Sequence, residues 1–409
     1  MRYLFSLLIL ISLGCESRSR PAKQIISPGK TAIIFVPGYK GSILQRIDND
    51  DILWLRGSSA VFGGSPIAWN GKGLGICDCP ALKPAGVLLD VSLIFGLIAI
   101  DFYAPWLELL RDGSENQVPV YSLSYDWRQG NFDTVKLLAK LVDKIRAQGV
   151  TKIHLVAHSM GGLVSSYYLR YGAQDPESAV ETWEGAHKID RIVLAGVPFG
   201  GSVKMLRDMN VGVKTGLDTS ILTAQVLSSF PSSYQLLPGE SSGALVNEAR
   251  QAVPGLIADV EHWKKYHWGL FLEDGHMGFT GERETFVRAA LKQAANFIGK
   301  IQAPTEASST APHNKVLYIV GKGQQTLSRA VWLEGKQRFA FSRSQLKEFP
   351  DKLADSLFAD GDGTVADFSA NAPLSYQLAF RWQEIAEAVT HEAMLKEQSV
   401  RSAISEFLF

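Results

Sequence analysis

Cysteine is nearly absent from this chain: three residues in 409, at positions 15, 77 and 79. Setting Cys15 aside for the leader discussed below, Cys77 and Cys79 are too few for a zinc site, and no neighbouring histidine completes one. A bridge between residues this close in sequence is strained. The pair is therefore expected as plain surface thiols or as a redox-labile pair in an exported protein, and it receives no role. An excess of either charge is also lacking, with 41 Lys plus Arg against 41 Asp plus Glu. With no long basic run either, the electrostatic footprint of a nucleic-acid binder is missing. No repeat period stands out. No apolar stretch reaches the roughly 20 residues that cross a bilayer. The glycine clusters Gly71-x-Gly73-x-Gly75 and Gly321-x-Gly323 lack the strand–G-x-G-x-x-G–helix context of a nucleotide loop. The D-x-D-x-D-G spacing of a calcium loop is missing too. No cofactor and no metal is expected.

What is present starts with a targeting segment. Met1-Arg2 is a basic start, residues 4–13 are apolar, Gly14-Cys15 follows, and residues 16–20 are polar. Residues 1–20 read as a signal sequence outside the fold. The Gly-Cys ending is similar to a bacterial lipoprotein signal, in which the cysteine is lipidated, although Ser12 stands where Leu is preferred. The expectation is an exported protein, either anchored to a membrane through a lipid on Cys15 or free in the periplasm or medium.

Apolar residues make up 46% of the chain, ample for a large core. Residues 31–36 (TAIIFV) read as a buried strand, 118–125 as another, and 132–146 has helical spacing. Residues 189–195 and 315–320 add two more strands. Strands alternating with helices argue for an α/β fold with a mainly parallel sheet and helices on both faces. Residues 56–84 are rich in Gly and Pro and read as an irregular insertion. Residues 86–100 are strongly apolar but interrupted by Asp90 and Gly96, and read as core or as part of a lipid-facing cap. Residues 203–312 hold loops, short helices and the aromatics Trp263, Tyr266, Trp268 and Phe271. The expected organisation is a first core segment at 28–202 with a lid-like insertion at 55–115, an inserted cap at 203–312, and a second core segment at 313–409.

The stretch KIHLVAHSMGGLVSSYYLRYG, residues 152–172, carries the chemistry. Residues 152–157 are apolar and β-branched, while Leu163, Val164, Tyr167, Tyr168 and Tyr171 share a helical face. A strand, a tight turn and a helix around Ser159 is the context of a nucleophile elbow. Ala157 occupies a place where Gly is usual, and one methyl should still let the turn close. The competing role for Ser159 is a helix cap. In this fold class the acid and then the base follow the nucleophile in sequence. Asp362, in the Gly-flanked turn FADGDGTVAD, is the candidate acid, with Asp360 as the competitor, and His391 is the histidine that follows it. His391 takes the proton of Ser159, and Asp362 orients the imidazole. The oxyanion donors are assigned to the N–H of Met160 and the N–H of Tyr39, the latter in the loop after the first strand. His158 and His154 read as packed structural histidines, and Asp126 and Arg128 as a structural ion pair near the site.

Read together, FVPGYKGSIL, YDWR, AHSMGG, GVPFGGS, LLPG, DGDGTV and THEAML resemble the lecithin:cholesterol acyltransferase and lysosomal phospholipase A family, including its bacterial members. The resemblance covers most of residues 31–409. It implies an α/β-hydrolase core with cap and lid-like segments, and acyl transfer from a lipid ester, phospholipid foremost, through an acyl-serine. It places the family roles on Ser159, Asp362 and His391, with Tyr39 and Met160 as oxyanion donors. It implies a lipid ester substrate at a membrane or lipoprotein surface, with water or an alcohol such as a sterol as acceptor. Animal members secure their lid region with a disulfide that Cys77 and Cys79 do not reproduce with each other. The other readings are a triacylglycerol lipase, carboxylesterase or thioesterase on the same core, and a non-catalytic protein that binds lipid or a partner.

Overall fold

The computed structural model describes residues 17–18, 30–55, 67–69, 77, 79–93, 98–112, 118–215, 218–273, 282–305 and 312–409. Its centre is a sheet of six strands: β1 (Thr31–Val36), β2 (Val120–Ser122), β3 (Lys152–His158), β4 (Arg191–Ala195), β5 (Lys315–Lys322) and β6 (Arg381–Ala388). All neighbours are parallel, in the order β6-β5-β4-β3-β1-β2. The chain leaves β1 toward one edge and returns past it to β3. The sheet therefore has its switch point between β1 and β3, where the carboxyl ends of neighbouring strands open a crevice.

Strand β1 shows why these residues take this place. Ala32, Ile34 and Val36 join the apolar cluster on one face, and Ile33 and Phe35 join that on the other. A strand buried on both faces needs a continuous apolar run, and TAIIFV supplies it. Strand β6 differs. It has one neighbour and mixes Arg381, Glu384 and Glu387 with Trp382 and Ile385. Charge on an edge strand discourages further pairing.

The covering helices are α1 (Ala104–Asp112), α2 (Asn131–Ala147), α3 (Met160–Tyr171), α4 (Arg283–Gln302) and α5 (Gln398–Leu408). Trp106, Leu107 and Leu110 of α1 and Val400, Ile404 and Leu408 of α5 pack on the Ile33–Phe35 side. Val135, Leu138, Val142 and Ile145 of α2 pack with α3 on the other. Helix α4 corrects the expectation of only loops and short helices in 203–312. It is 20 residues long, and it buries Phe286, Val287, Ala290, Ala294, Phe297 and Ile301 along one face. Phe297 stacks on Tyr167 of α3 at 4.9 Å between ring centroids. The N-cap residue of α4, Glu282, makes no side-chain cap bond, so the start of this helix carries no strong sequence signal. The aromatics of this segment belong to the core, with Tyr266 and Phe271 packed against it. Trp263 and Trp268 are buried, and Trp268 and Tyr266 pack on Trp332.

Residues 86–100 include two antiparallel strands, Asp90–Leu93 and Ile98–Asp101, separated by residues outside the described set. Ser17–Arg18, expected outside the fold, pairs with Asp90 and Val91. Cys77 and Cys79 form a disulfide with each other, and Cys77 is buried, so the pair is not a set of surface thiols. The rest of the leader, Cys15 included, lies outside the described residues, as does the cluster Gly71-x-Gly73-x-Gly75. Among the described residues no helix is long and apolar enough to cross a membrane.

The YDWR segment acts as a clamp. Tyr125 Oη donates to the Pro37 carbonyl at 2.7 Å, and Trp127 Nε1 donates to the Ser42 carbonyl at 3.0 Å. Both bonds fix the loop that follows β1. Arg128 grips Asp126 through Nε at 2.9 Å and Nη2 at 2.7 Å. Its Nη1 donates to the carbonyls of Ile67 and Ala68 at 2.9 and 3.1 Å. The pair is buried and structural, as its sequence context indicates. Arg128→Met leaves the Asp126 carboxylate buried without its cation. That substitution should destabilise the protein by about 3–5 kcal/mol, read by denaturant unfolding. Arg128→Lys should not restore the loss, because an ammonium cannot reach both the carboxylate and two carbonyls in the planar fork that Arg provides.

Candidate active site

Strand β3 ends at His158, and α3 begins at Met160. Ser159 alone makes the turn, with φ 55° and ψ −127°. A non-glycine residue at positive φ is held there by its surroundings. Its N–H donates to the Ala195 carbonyl at the end of β4 at 2.8 Å. The next element to approach is the loop after β1. A Cβ on Gly161 would lie 2.5 Å from the carbonyl oxygens of both Val36 and Pro37, and one on Gly38 would lie 2.8 Å from Ser159 Cβ. Glycine at these positions is a packing requirement. Ala157 is fully buried beneath the turn, which closes with its methyl in place. Ser159 makes no side-chain cap to α3, so the capping role does not apply.

The Ser159 hydroxyl is instead turned to His391. Oγ lies 2.8 Å from His391 Nε2, and His391 Nδ1 lies 2.7 Å from Asp362 Oδ2. The other carboxylate oxygen of Asp362 accepts from the N–H groups of Thr364 at 2.9 Å and Val365 at 2.6 Å. The His391 N–H donates to the Asp362 carbonyl at 2.9 Å, which ties the two loops together. Ser159, His391 and Asp362 are 7%, 7% and 1% exposed. The competitor Asp360 is exposed and accepts from the backbone N–H groups of Gly323 and Gly361. It takes no part in this chain of bonds.

Electrostatics fit the division of labour. Burial alone would lower the pKa of His391, but the charge and hydrogen bond of Asp362 overcome it, and the net shift is upward. Burial pushes Asp362 up, and the His391 partner with two backbone donors more than offsets this, leaving it below the usual carboxylate range. The carboxylate therefore stays ionised and stabilises the imidazolium that forms when Ser159 gives up its proton.

His158 has a place that packing alone does not describe. Gly38 N–H donates to Tyr103 Oη at 3.1 Å, and Tyr103 Oη lies 2.9 Å from His158 Nδ1. His158 Nε2 lies 3.2 Å from the His391 carbonyl. With Tyr103 accepting from Gly38, the hydroxyl donates to Nδ1 and the ring donates from Nε2. Burial, then the neighbouring His391, lowers the His158 pKa to about 3, so the ring is neutral and is no base. The relay links the loop after β1 to the loop that carries His391. Tyr103 stands in a region with no strand–helix signature, so sequence periodicity did not find it. His154 is a buried residue of β3. Its Nδ1 lies 3.5 Å from Asp190 Oδ2 but makes no hydrogen bond, and burial lowers its pKa to about 4. The ring is neutral and incompletely satisfied.

Tyr39 sits in the loop after β1, with its ring 5.1 Å from that of Trp127 and its hydroxyl 3.3 Å from Ser233 Oγ. Among the described residues its N–H has no acceptor. Met160 opens α3, and a first helical N–H has no partner within the helix. Both donors are thus unspent. A cavity of about 390 Å³ opens over Ser159 and His391. Its walls include Leu55, Phe102, Met205, Leu222, Leu227 and Leu236. Among the described residues no group of three His, Cys, Asp or Glu is placed to hold a metal ion.

A serine on a strand–helix turn at the switch point of a parallel sheet, hydrogen-bonded in series to histidine and aspartate, defines an α/β-hydrolase. A solved structure of the Tle4–Tli4 complex shares this fold, with a TM-score of 0.56 at 13% identity over 92% of this chain and 97% of that one. Within the class, the sequence model described as lecithin:cholesterol acyltransferase matches residues 89–267, so this part of the chain is similar to that family. The chain is 26% identical over 188 residues to lecithin-cholesterol acyltransferase-like 4 of Arabidopsis thaliana, 41% of this chain and 35% of that protein. It is 30% identical over 280 residues to phosphatidylcholine-sterol acyltransferase of Mus musculus, 67% of this chain and 53% of that protein. The chain thus spans about half or less of these relatives' length. Ser159 lies within the family match, whereas Asp362 and His391 lie beyond it and are brought to the serine by the fold.

The raised pKa of His391 sets a pH dependence. Only the neutral imidazole accepts the serine proton, so kcat/KM should rise with pH through an inflection above the ordinary histidine value of about 6.5. A pH–rate profile on a soluble ester reads it. An inflection below that value would contradict the pairing with Asp362.

Proposed function

We propose that the protein is a serine acyl hydrolase or acyltransferase that cleaves acyl esters of lipids, phospholipids foremost, through an acyl-serine intermediate. One observation carries this reading: a Ser159–His391–Asp362 hydrogen-bonded series at the floor of a cavity whose walls are mainly apolar. An apolar wall beside a polar reacting centre suits an ester with a long acyl chain. The match of residues 89–267 to the lecithin:cholesterol acyltransferase family model supports the same substrate class.

The chemistry follows from the geometry. Ser159 Oγ attacks the ester carbonyl while His391 Nε2 takes its proton. The carbonyl oxygen becomes an oxyanion, and the N–H groups of Met160 and Tyr39 are the assigned donors. Loss of one such donor typically removes about 3–4 kcal/mol of transition-state stabilisation. His391 then returns the proton to the leaving alcohol, and the acyl group stays on Ser159. In the second half, water or an acceptor alcohol gives its proton to His391 and attacks the acyl carbonyl, and His391 passes that proton to Ser159 Oγ as the acyl–serine bond breaks. Hydrolysis and transfer to a sterol or other alcohol differ only in that acceptor. In the same reading the leader exports the protein, and a lipid on Cys15 would hold it at a membrane surface.

The test is product analysis. The protein is incubated with phospholipid vesicles containing a sterol or a long-chain alcohol, and products are identified by mass spectrometry. The expected products are lysophospholipid with free fatty acid or a new acyl ester. Ser159→Ala should reduce their formation by at least about 10⁴-fold. Equal product from the variant would overturn the reading. Turnover of short soluble esters with none of phospholipid would move the protein to the carboxylesterase alternative.

A further inference from the structure

We infer that Lys40 is an anion-recognition residue of the active-site cavity, placed to bind the phosphodiester of a phospholipid headgroup. The inference rests on the acyl-ester reading above and names the group that its substrate carries next to the scissile ester.

Lys40 follows Tyr39 in the loop after β1 and lines the same cavity as Ser159 and His391. Its backbone is in the left-handed region, with φ 65°, where glycine is the least strained choice. The loop closes tightly there, with Gly41 N–H donating to the Gly38 carbonyl at 3.0 Å. Trp54 Nε1 donates to the Lys40 carbonyl at 3.0 Å and fixes the residue further. A lysine is thus held at a strained position on the lip of the reacting centre.

The side chain is half-buried, and its ammonium lies 5.3 Å from the Tyr39 ring centroid and 6.0 Å from that of Trp54. These rings position the cation without neutralising it. The ammonium makes no ion pair among the described residues. The carboxylates that act on it are committed or exposed. Asp208 is bound by Arg207 at 2.6 Å and lies 3.7 Å from Lys204, and Glu392 is exposed. Burial, followed by the nearby Lys204, lowers the Lys40 pKa to about 8, so the cation has lost hydration without gaining a partner. A poorly solvated ammonium in an apolar cavity gains most from an anion that enters with the substrate. In a phospholipid the phosphodiester is the anion attached to the same glycerol as the acyl esters. A triacylglycerol offers none.

Two measurements test the assignment. The first compares kcat/KM for a phospholipid and for an uncharged triester with identical acyl chains, both in neutral detergent micelles. The ratio should fall about tenfold or more in Lys40→Gln and should be retained in Lys40→Arg. An unaltered ratio in Lys40→Gln, including a parallel loss on both substrates, would overturn the assignment. The second uses the Ser159→Ala protein and a short-chain diether phospholipid, which has no ester to cleave. Binding by calorimetry should weaken about tenfold or more when Lys40→Gln is added, and equal binding would overturn the assignment. This second result stands without turnover. A binding difference with no product from wild-type protein would therefore retain the Lys40 site and reject the hydrolase reading.

Discussion

The site depends on one steric constraint, the contact between the loop after β1 and the turn from β3 into α3. The carbonyls of Val36 and Pro37 sit where a side chain at position 161 would be, and Gly38 passes against Ser159. The parallel pairing of β1 with β3, with Val36 opposite Ala157, delivers both segments to the same end of the sheet. A sheet of this order opens its crevice there, so fold and site arise from one topological fact. The Ser159 backbone is forced to positive φ, which lifts its hydroxyl away from the helix it would otherwise cap. The clamp from Tyr125 and Trp127 holds the second side of the contact. A misplacement of about 1 Å can cost about 10²-fold in rate, and this contact supplies the rigidity that such positioning needs.

A second layer of order is polar. A buried carboxylate without partners is costly, but Asp362 has His391 and two backbone donors. The relay from Gly38 through Tyr103 and His158 to the His391 carbonyl joins the loop after β1 to the loop that carries His391. The turn at Ser159, the loop of His391 and the loop after β1 are thus held by two independent links, one through packing and one through hydrogen bonds. Networks of this kind rigidify when every member is satisfied. His158 fulfils that condition because burial keeps it neutral and each ring nitrogen has a partner.

Much of this was legible in the sequence, for identifiable reasons. TAIIFV and the run before Ser159 are buried on both faces, so their apolar character is continuous and unmistakable. The elbow reads from the change of period across His158-Ser159-Met160, and the acid and base follow from chain order. Strand β6 was harder to see, because an edge strand tolerates charge and loses the apolar signal. Helix α4 was hidden in a segment whose neighbours are irregular, although its buried positions recur at helical spacing. Tyr103 and Lys40 had no local signature. Each matters through contacts with residues far along the chain, such as His158 and Trp54. The Cys77–Cys79 pair was set aside on strain, yet the fold brings the two sulfurs together. Contacts set by tertiary structure are the ones that spacing does not disclose.

The most direct test of the central claim is to trap the acyl-enzyme. The protein is mixed with phospholipid, quenched in acid within its first turnovers, and weighed by intact-mass and peptide mass spectrometry. The account predicts a species heavier by one acyl group, with the added mass on the peptide containing Ser159. Phospholipid turnover with the added mass on another residue, or with no covalent species under single-turnover conditions that favour its build-up, would contradict a serine-centred acyl transfer.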